Sequence, residues 1–243
     1  NSVRDTGLGS MVFSGETTEF LPITVVGGTH IGGGALFLQS SHLDIGSTWK
    51  GNSVVRCGNG GQVVQSQIRS SSSGGSNIGG GAIFLMASQT ETSFSGSLFV
   101  ENLVLDSGLG GTIRGLSSGS ASLPAGSFIG GGGIVGGYFS CSECHFIDNK
   151  VIRSGNGGFI LEGASEIPFL ALSSLGCVQC GGGGALVSSC SVQNSVFIGN
   201  SVYMTGNNGP NQMQVETGPP SFVGGGALAT FSAGIFQTVV QNV

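Results

Sequence analysis

Residues 99–104 read Phe-Val-Glu-Asn-Leu-Val, and the Asn-x-Val part of this phrase decides the fold because it returns at nearly constant intervals. Its copies begin 51, 50, 47 and 51 residues apart, at Asn1, Asn52, Asn102, Asn149 and Asn200. A clipped copy, Asn242-Val243, ends the chain. Self-similarity at a period of about 20 to 50 residues is typical of repeat architectures. We therefore divide the chain into five units: residues 1–51, 52–101, 102–148, 149–199 and 200–243.

A second phrase, a glycine run that leads into a large aliphatic residue, recurs out of step with the first. Its aliphatic positions predict an inward column of side chains, at Leu36, Ile83, Ile134, Leu186 and Leu228. The position three residues before each repeated Asn predicts a second column, at Trp49, Phe99, Phe146, Phe197 and Val239. Each such side chain buries apolar surface worth about 1.5–3 kcal/mol. One unit cannot hide these columns alone, but a stack of units can.

The local sequence favours strands and tight turns, since glycine and β-branched residues are frequent and no apolar pattern keeps a helical period. We expect an all-β fold, a single-stranded parallel β-helix of five units that forms one domain over residues 1–243. The stretch Gly158-Phe159-Ile160-Leu161 resembles a weaker copy of the glycine phrase. It suggests about two coils per unit, hence about ten coils and a rod of roughly 50 Å at ~4.8 Å per strand. If the units are counted from the glycine phrase instead of from the repeated Asn, the chain starts and ends in the middle of a unit.

Composition excludes several classes of protein. Only 8% of residues are charged and 39% are hydrophobic, whereas disordered chains have low hydrophobicity and high charge. The 48 glycines lack the three-residue period of collagen. Seven basic residues spread over five units give no footprint for nucleic acid. No apolar run reaches the roughly 20 residues that span a bilayer as a helix. We therefore expect no nucleic-acid partner and no membrane span.

The repeated asparagines are interpreted as a structural ladder. At a turn that stacks on its own copies, each side-chain amide can bond to the equivalent amide in the next layer, as in other stacked strands. The predicted ladder contains Asn1, Asn52, Asn102, Asn149, Asn200 and Asn242.

Two residues after each repeated valine comes a position of alternating charge, occupied by Asp5, Arg56, Asp106, Arg153 and then Met204. It predicts ion pairs along the axis, worth about 0–1 kcal/mol each when exposed.

These motifs resemble the repeats of the chlamydial polymorphic outer membrane proteins. The resemblance rests on Gly80-Gly81-Ala82-Ile83 combined with Phe-x-x-Asn at Phe99–Asn102, Phe146–Asn149 and Phe197–Asn200. Trp49 and Val239 replace the phenylalanine in two copies. The resemblance implies a right-handed parallel β-helix and a role as a surface adhesin. The family's autotransporter barrel does not follow Val243 in this sequence.

Six cysteines in a chain poor in charge favour an oxidising, extracellular setting. The disulfide candidates are Cys57, Cys141, Cys144, Cys177, Cys180 and Cys190. The two Cys-x-x-Cys motifs, Cys141–Cys144 and Cys177–Cys180, are also compatible with a zinc site or with free buried thiols. At Cys57 the other units have Thr or Ser, so a simple role as a small residue is the alternative there.

An enzyme is the remote alternative, because some parallel β-helices act on polysaccharides. Such chemistry needs clustered carboxylates on one face, but the twelve acidic residues are dispersed and His30, His42 and His145 sit at unrelated phases. We expect no catalytic residue, no cofactor and no metal.

Serine-rich insertions before the glycine runs predict a polar working face and accept O-linked sugars. They cover residues 69–76, 115–124 and 206–220. No sequon for N-linked sugars is present.

The chain opens on Asn1 rather than Met, so we expect a secreted or cell-surface protein whose signal segment has been removed. Neither end shows a polar cap. We expect the start of one copy to complete the last coil of the next, which gives a head-to-tail filament or adhesive fibre. The predicted contact residues are Asn1, Val3, Val239, Asn242 and Val243. A piece of a longer surface adhesin is the alternative, and a host or neighbouring cell surface is the second expected partner.

Overall fold

The computed structural model describes most of the chain, namely residues 1–9, 11–13, 23–40, 42–64, 70–86, 92–114, 120–161, 171–173, 179–207, 222–236 and 239–241. Within these ranges the chain forms thirty strands and no helix. The fold is therefore all-β, as predicted.

The strands are short and follow one another in nearly the same order in each unit. The first unit contains β1 (Ser2–Arg4), β2 (Met11–Phe13), β3 (Ile23–Val26), β4 (Ile31–Gly32), β5 (Leu36–Leu38), β6 (His42–Ile45) and β7 (Thr48–Lys50). The second contains β8 (Ser53–Val55), β9 (Gln62–Val64), β10 (Ser70–Ser73), β11 (Ile78–Gly79), β12 (Ile83–Leu85), β13 (Thr92–Ser95) and β14 (Leu98–Val100). The third contains β15 (Leu103–Leu105), β16 (Thr112–Arg114), β17 (Ser120–Ser122), β18 (Ile129–Gly130), β19 (Ile134–Ser142) and β20 (His145–Ile147). The fourth contains β21 (Lys150–Ile152), β22 (Phe159–Leu161), β23 (Ala171–Ser173), β24 (Gln179–Gly181), β25 (Ala185–Gln193) and β26 (Val196–Ile198). The fifth contains β27 (Ser201–Tyr203), β28 (Phe222–Gly224), β29 (Leu228–Phe236) and β30 (Val239–Gln241).

Strands at the same phase of successive units pair side by side. They form six sheets in the described part of the chain, and the strand pairs run parallel. The order β1-β8-β15-β21-β27 illustrates the rule, because it takes one strand from each unit. Pairing partners such as Val3 and Val54 lie 51 residues apart, which matches the repeat of the sequence.

Strands pair with strands one full unit away, and this corrects the expectation of two coils per unit. The segment Phe159–Leu161 pairs with Thr112–Arg114 of the previous unit, in a different sheet from the strands that follow the glycine runs. A half-unit repeat would pair strands about 25 residues apart, whereas this pair is 47 residues apart. Five layers at ~4.8 Å span only about 20 Å between the first and last strands.

The first predicted column is right at four positions and wrong at Leu186. Register joins Leu36 to Ile83, Ile83 to Ile134, and Ala185 to Leu228. Ile134 pairs with Ala185, so Leu186 falls one position later, beside Val135. The fourth unit has a run of four glycines, Gly181–Gly184, and Gly184 takes the position that Ala82 takes in the second unit. Since side chains alternate along a strand, a slip of one residue moves Leu186 to the other face.

The second column is a stack of aromatic rings. Phe146 lies 4.6 Å from Phe99 and 4.5 Å from Phe197 between ring centroids, with almost parallel planes. Trp49 continues the stack at 6.4 Å from Phe99. The predicted last member is wrong, because Val240 and not Val239 pairs with Phe197. These rings and the aliphatic column belong to one buried core.

The glycine run is explained by close approach of backbones. Gly130 has φ of 152°, and a Cβ built there would lie 1.9 Å from the carbonyl oxygen of Gly181. The equivalent Gly79 would meet Gly130 in the same way, at 1.7 Å. A side chain at either position would collide with the next layer, so glycine is required at both.

Serines that were predicted to project as an insertion form a strand instead. Ser70–Ser73 pairs with Ile23–Val26, and Ser70 and Ser72 are buried. The Ser72 hydroxyl donates to the carbonyl of Gly61 at 2.8 Å, which satisfies it inside the structure. Residues 65–69, 115–119 and 208–221, which contain most of the predicted insertions, lie outside the described residues.

Candidate functional site

The most extensive polar feature is the asparagine ladder, formed by Asn1, Asn52, Asn102, Asn149 and Asn200. The backbone N–H and the Nδ2 of Asn52 both donate to Oδ1 of Asn102, each at 3.0 Å. Asn102 donates in the same way to Asn149, at 3.1 and 2.8 Å. Asn149 donates to Asn200, at 3.1 and 2.9 Å. Asn1 donates to Asn52 at 3.3 and 3.4 Å.

The amides of Asn102, Asn149 and Asn200 are also tied to the aromatic column. The Nδ2 of Asn102 donates to the carbonyl of Trp49 at 2.8 Å, and that of Asn149 donates to Phe99 at 2.9 Å. Asn102 and Asn149 are fully buried, and a buried amide that lacks partners is costly. The ladder therefore selects register: a unit that slips loses both the amide bonds and the carbonyl bonds. It also has a direction, since every Oδ1 accepts from the preceding unit.

A second ladder of small polar residues lies two positions after the end of each strand in the sheet β1-β8-β15-β21-β27. It contains Thr6, Cys57, Ser107, Ser154 and Thr205. The backbone N–H of Cys57 donates to the hydroxyl of Ser107 at 3.1 Å, and Ser107 Oγ donates to the carbonyl of Leu105 at 2.9 Å. We call this row the hydroxyl ladder. Its one cysteine, Cys57, donates through Sγ to the carbonyl of Val55 at 3.2 Å.

The cysteines follow the sequence prediction in part. A disulfide joins Cys141 to Cys144, and Cys180 is disulfide-bonded as well. Cys141 and Cys144 are thereby removed from the zinc set that the two motifs allowed. Cys57 is wrong as a disulfide candidate: it is a free thiol, completely buried in the hydroxyl ladder, and burial raises its pKa.

Two cysteines of the candidate set remain. Cys190 is buried, in register with Phe139 of the preceding unit. Cys177 lies outside the described residues.

Asp44 is a buried carboxylate that the sequence analysis missed. It is only 6% exposed, and its two oxygens accept from Ser47 Oγ, from Trp49 Nε1 at 3.2 Å and from Ser97 Oγ at 2.7 Å. Burial by itself raises the pKa of Asp44, but these hydrogen bonds and the nearby His42 outweigh it and lower the pKa below its ordinary value. The register aligns Asp44 with Phe94, so its carboxylate stands out only once the strands have been aligned.

The first unit carries apolar side chains where the second and third units carry serine. Leu43 and Ile45, both on β6, are 66% and 72% exposed. Their partners in the second unit are Ser93 and Ser95, and the third unit has serines at the same two positions, 140 and 142. All seven strands of the first unit end their sheets in the described part of the chain. We call these strands, β1 to β7, the first-unit edge.

The alternating charges form two separate exposed pairs. Arg56 contacts Asp5 at 2.8 Å, and Arg153 contacts Asp106 through two hydrogen bonds of 2.9 and 3.0 Å. These four residues and Met204 have positive φ of 48–52°, so the position is a corner in every unit.

The predicted subunit contacts are described only in part. Val3 lies in the edge strand β1 and packs partly buried against the core beside Val54. Val239 begins β30, which pairs with β26. Asn242 and Val243 lie outside the described residues.

No cluster of three or more His, Cys, Asp or Glu side chains among the described residues could bind a metal ion. The same residues include no helix with the length and apolarity needed to cross a membrane. No family model, curated protein or solved structure matches the chain. The resemblance to the chlamydial repeats stays a prediction.

Proposed function

We propose that this chain is a non-enzymatic extracellular structural protein, a right-handed single-stranded parallel β-helix with one coil per unit. Copies stack head to tail through their terminal units to build a surface filament or an adhesive fibre. The asparagine ladder carries the proposal. It connects Asn1 to Asn200 through buried side chains that bond to one another in a single direction. Polar groups so fully committed to register serve construction rather than chemistry on a substrate.

The first-unit edge supports association end to end. Its strands present open backbone groups on one side, and such edges readily pair with a further strand. The exposed Leu43 and Ile45 add apolar surface at that edge. A contact between opposite ends of two copies is heterologous and does not close, so it extends into a filament.

A second candidate is a segment of a longer surface adhesin of the autotransporter type. Its support is the combination of Gly80-Gly81-Ala82-Ile83 with Phe99 and Asn102, which resembles the chlamydial repeats. In that case the first-unit edge would be covered by further units of the same chain.

An extracellular or cell-surface location fits the disulfide between Cys141 and Cys144, because disulfides persist in oxidising compartments. The partners of a surface filament would be its own copies and the surface of a host or neighbouring cell.

Electron microscopy of residues 1–243 across a concentration series tests the proposal. Filaments that lengthen with concentration are expected. Ile45→Lys should shorten them, because lysine on an edge strand opposes pairing. Ser142→Lys is the matched control, since Ser142 lies at the same register position inside the stack. Short uniform particles at every concentration would refute self-assembly and leave the longer adhesin as the better account.

A further inference from the structure

Asp44 occupies a position that is apolar in the other units. The register runs from Asp44 through Phe94, Cys141 and Val192 to Ile235. Phe94 and Val192 are buried in the main core. The first unit therefore places a carboxylate in a column where the following layers place apolar side chains.

The neighbouring inward column changes in the same direction. His42 pairs with Thr92, Thr92 with Phe139, and Phe139 with Cys190, which pairs with Ala233. These two columns thus become polar as they approach the first-unit edge. Asp44 lies on β6, whose one pairing partner in the described part of the chain is β13.

The donors around Asp44 come from its own unit and from the next one. Ser47 and Trp49 belong to the first unit, and Ser97 belongs to the second. A layer added on the open side of β6 would remove the remaining contact with water. A carboxylate that loses water without gaining a donor is strongly destabilised.

A second copy of this chain is the occupant that fits the first-unit edge. Its last unit brings β27 to β30, which belong to the same sheets as β1, β4, β5 and β7, so the parallel pairing of these four sheets can continue. The ladder direction agrees, because a preceding layer would donate to Oδ1 of Asn1 as Asn1 donates to Asn52. That last unit, however, has Ala233 and Ile235 in the columns of His42 and Asp44, and neither side chain can donate a hydrogen bond.

We propose that Asp44 is a gatekeeper of the first-unit edge, whose buried charge weakens the stacking of a second copy. Inward-pointing charge is an established way to protect a sheet edge from further pairing. This inference rests on the proposed head-to-tail contact and assigns its control to one residue. Stacking stays reversible while Asp44 is charged, and it tightens when that charge is removed.

Sedimentation velocity at neutral pH over a concentration series provides the test. Asp44→Val introduces the residue that the fourth unit has at this position, and Asp44→Asn removes the charge while keeping the shape. Each variant should associate at least tenfold more tightly than the parent chain. Glu143→Gln is the control, because it removes one charge from an exposed side chain of the third unit, away from the first-unit edge. It should leave association unchanged.

The outcomes separate this inference from the proposed function. Tighter association of both Asp44 variants supports the gatekeeper, even if the parent chain stays monomeric and the filament proposal fails. If Asp44→Val does not fold, Asp44→Asn alone decides. A parent chain that assembles while neither variant differs from it overturns the gatekeeper and keeps the filament. Monomers throughout overturn both.

Discussion

Removal of one ladder amide should cost much of the stability of the chain. Asn149→Ala deletes four hydrogen bonds: two that Oδ1 accepts from Asn102, and two that Nδ2 donates to Phe99 and Asn200. At about 1 kcal/mol net for each bond, the free energy of unfolding should fall by about 4 kcal/mol. The substitution also leaves buried groups such as the Asn102 N–H without partners, so about 4 kcal/mol is a lower limit for the loss. Equilibrium unfolding in urea, followed by circular dichroism, measures the change.

Two further variants sharpen this test. Asn149→Asp keeps one acceptor but turns the donating nitrogen into an oxygen that faces the Phe99 carbonyl and Asn200 Oδ1. It should therefore be at least as destabilised as the alanine variant. Asn207→Ala is the control, since this residue is exposed, and it should shift stability by no more than about 0.5 kcal/mol. A cost below about 1 kcal/mol for Asn149→Ala would refute the ladder as a determinant of stability.

Three other predictions follow from the geometry. Gly130→Ala should lose about 3 kcal/mol or more of its free energy of unfolding, or fail to fold. The reason is that its Cβ would meet the carbonyl of Gly181 and that φ at this position is 152°. A melting temperature close to that of the parent chain would contradict this. Cys57→Ser should stay within about 1 kcal/mol of the parent, since a hydroxyl completes the row that contains Ser107, and the native thiol should react with Ellman's reagent only after unfolding. Because the pKa of Asp44 is lowered from its ordinary 3.8, its contribution is present above that pH and is lost as the pH falls through the lower folded-state value. Acid titration of stability should thus be flatter in Asp44→Asn, and identical curves would disprove this.

Sequence reasoning predicted those features that repeat with the full period. The asparagine positions and the aromatic column up to Phe197 follow from phase, because equal spacing puts equal residues over one another, and the all-β class follows from the local sequence. It was wrong where a run of identical residues hides the phase. Four glycines before Ala185 allow two alignments, and only the register of the strands distinguishes them.

Other features escaped because they break the repeat. Asp44 differs from Phe94 at the same register position, so a search for shared residues passes over it. Ser70–Ser73 looks like a flexible insertion by composition, but serine is small and finds acceptors such as the Gly61 carbonyl at a crowded corner. The half-unit coil was suggested by the local likeness of Phe159–Leu161 to the glycine phrase, whereas pairing is decided by partners one full unit away.

The central claim is that residues one unit apart lie directly over one another, and a directed disulfide tests it most simply. Ser93 and Ser140 are register partners, with hydroxyl oxygens 2.7 Å apart. Cysteines at both positions should cross-link rapidly under mild oxidation, as identified by peptide mass mapping. Cysteines at Ser93 and Ser142 should not, because two residues along the strand put the Cα atoms about 8 Å apart, beyond the ~7 Å reach of a disulfide. Equal yields from both pairs, or cross-linking of the second pair alone, would contradict the stacked arrangement.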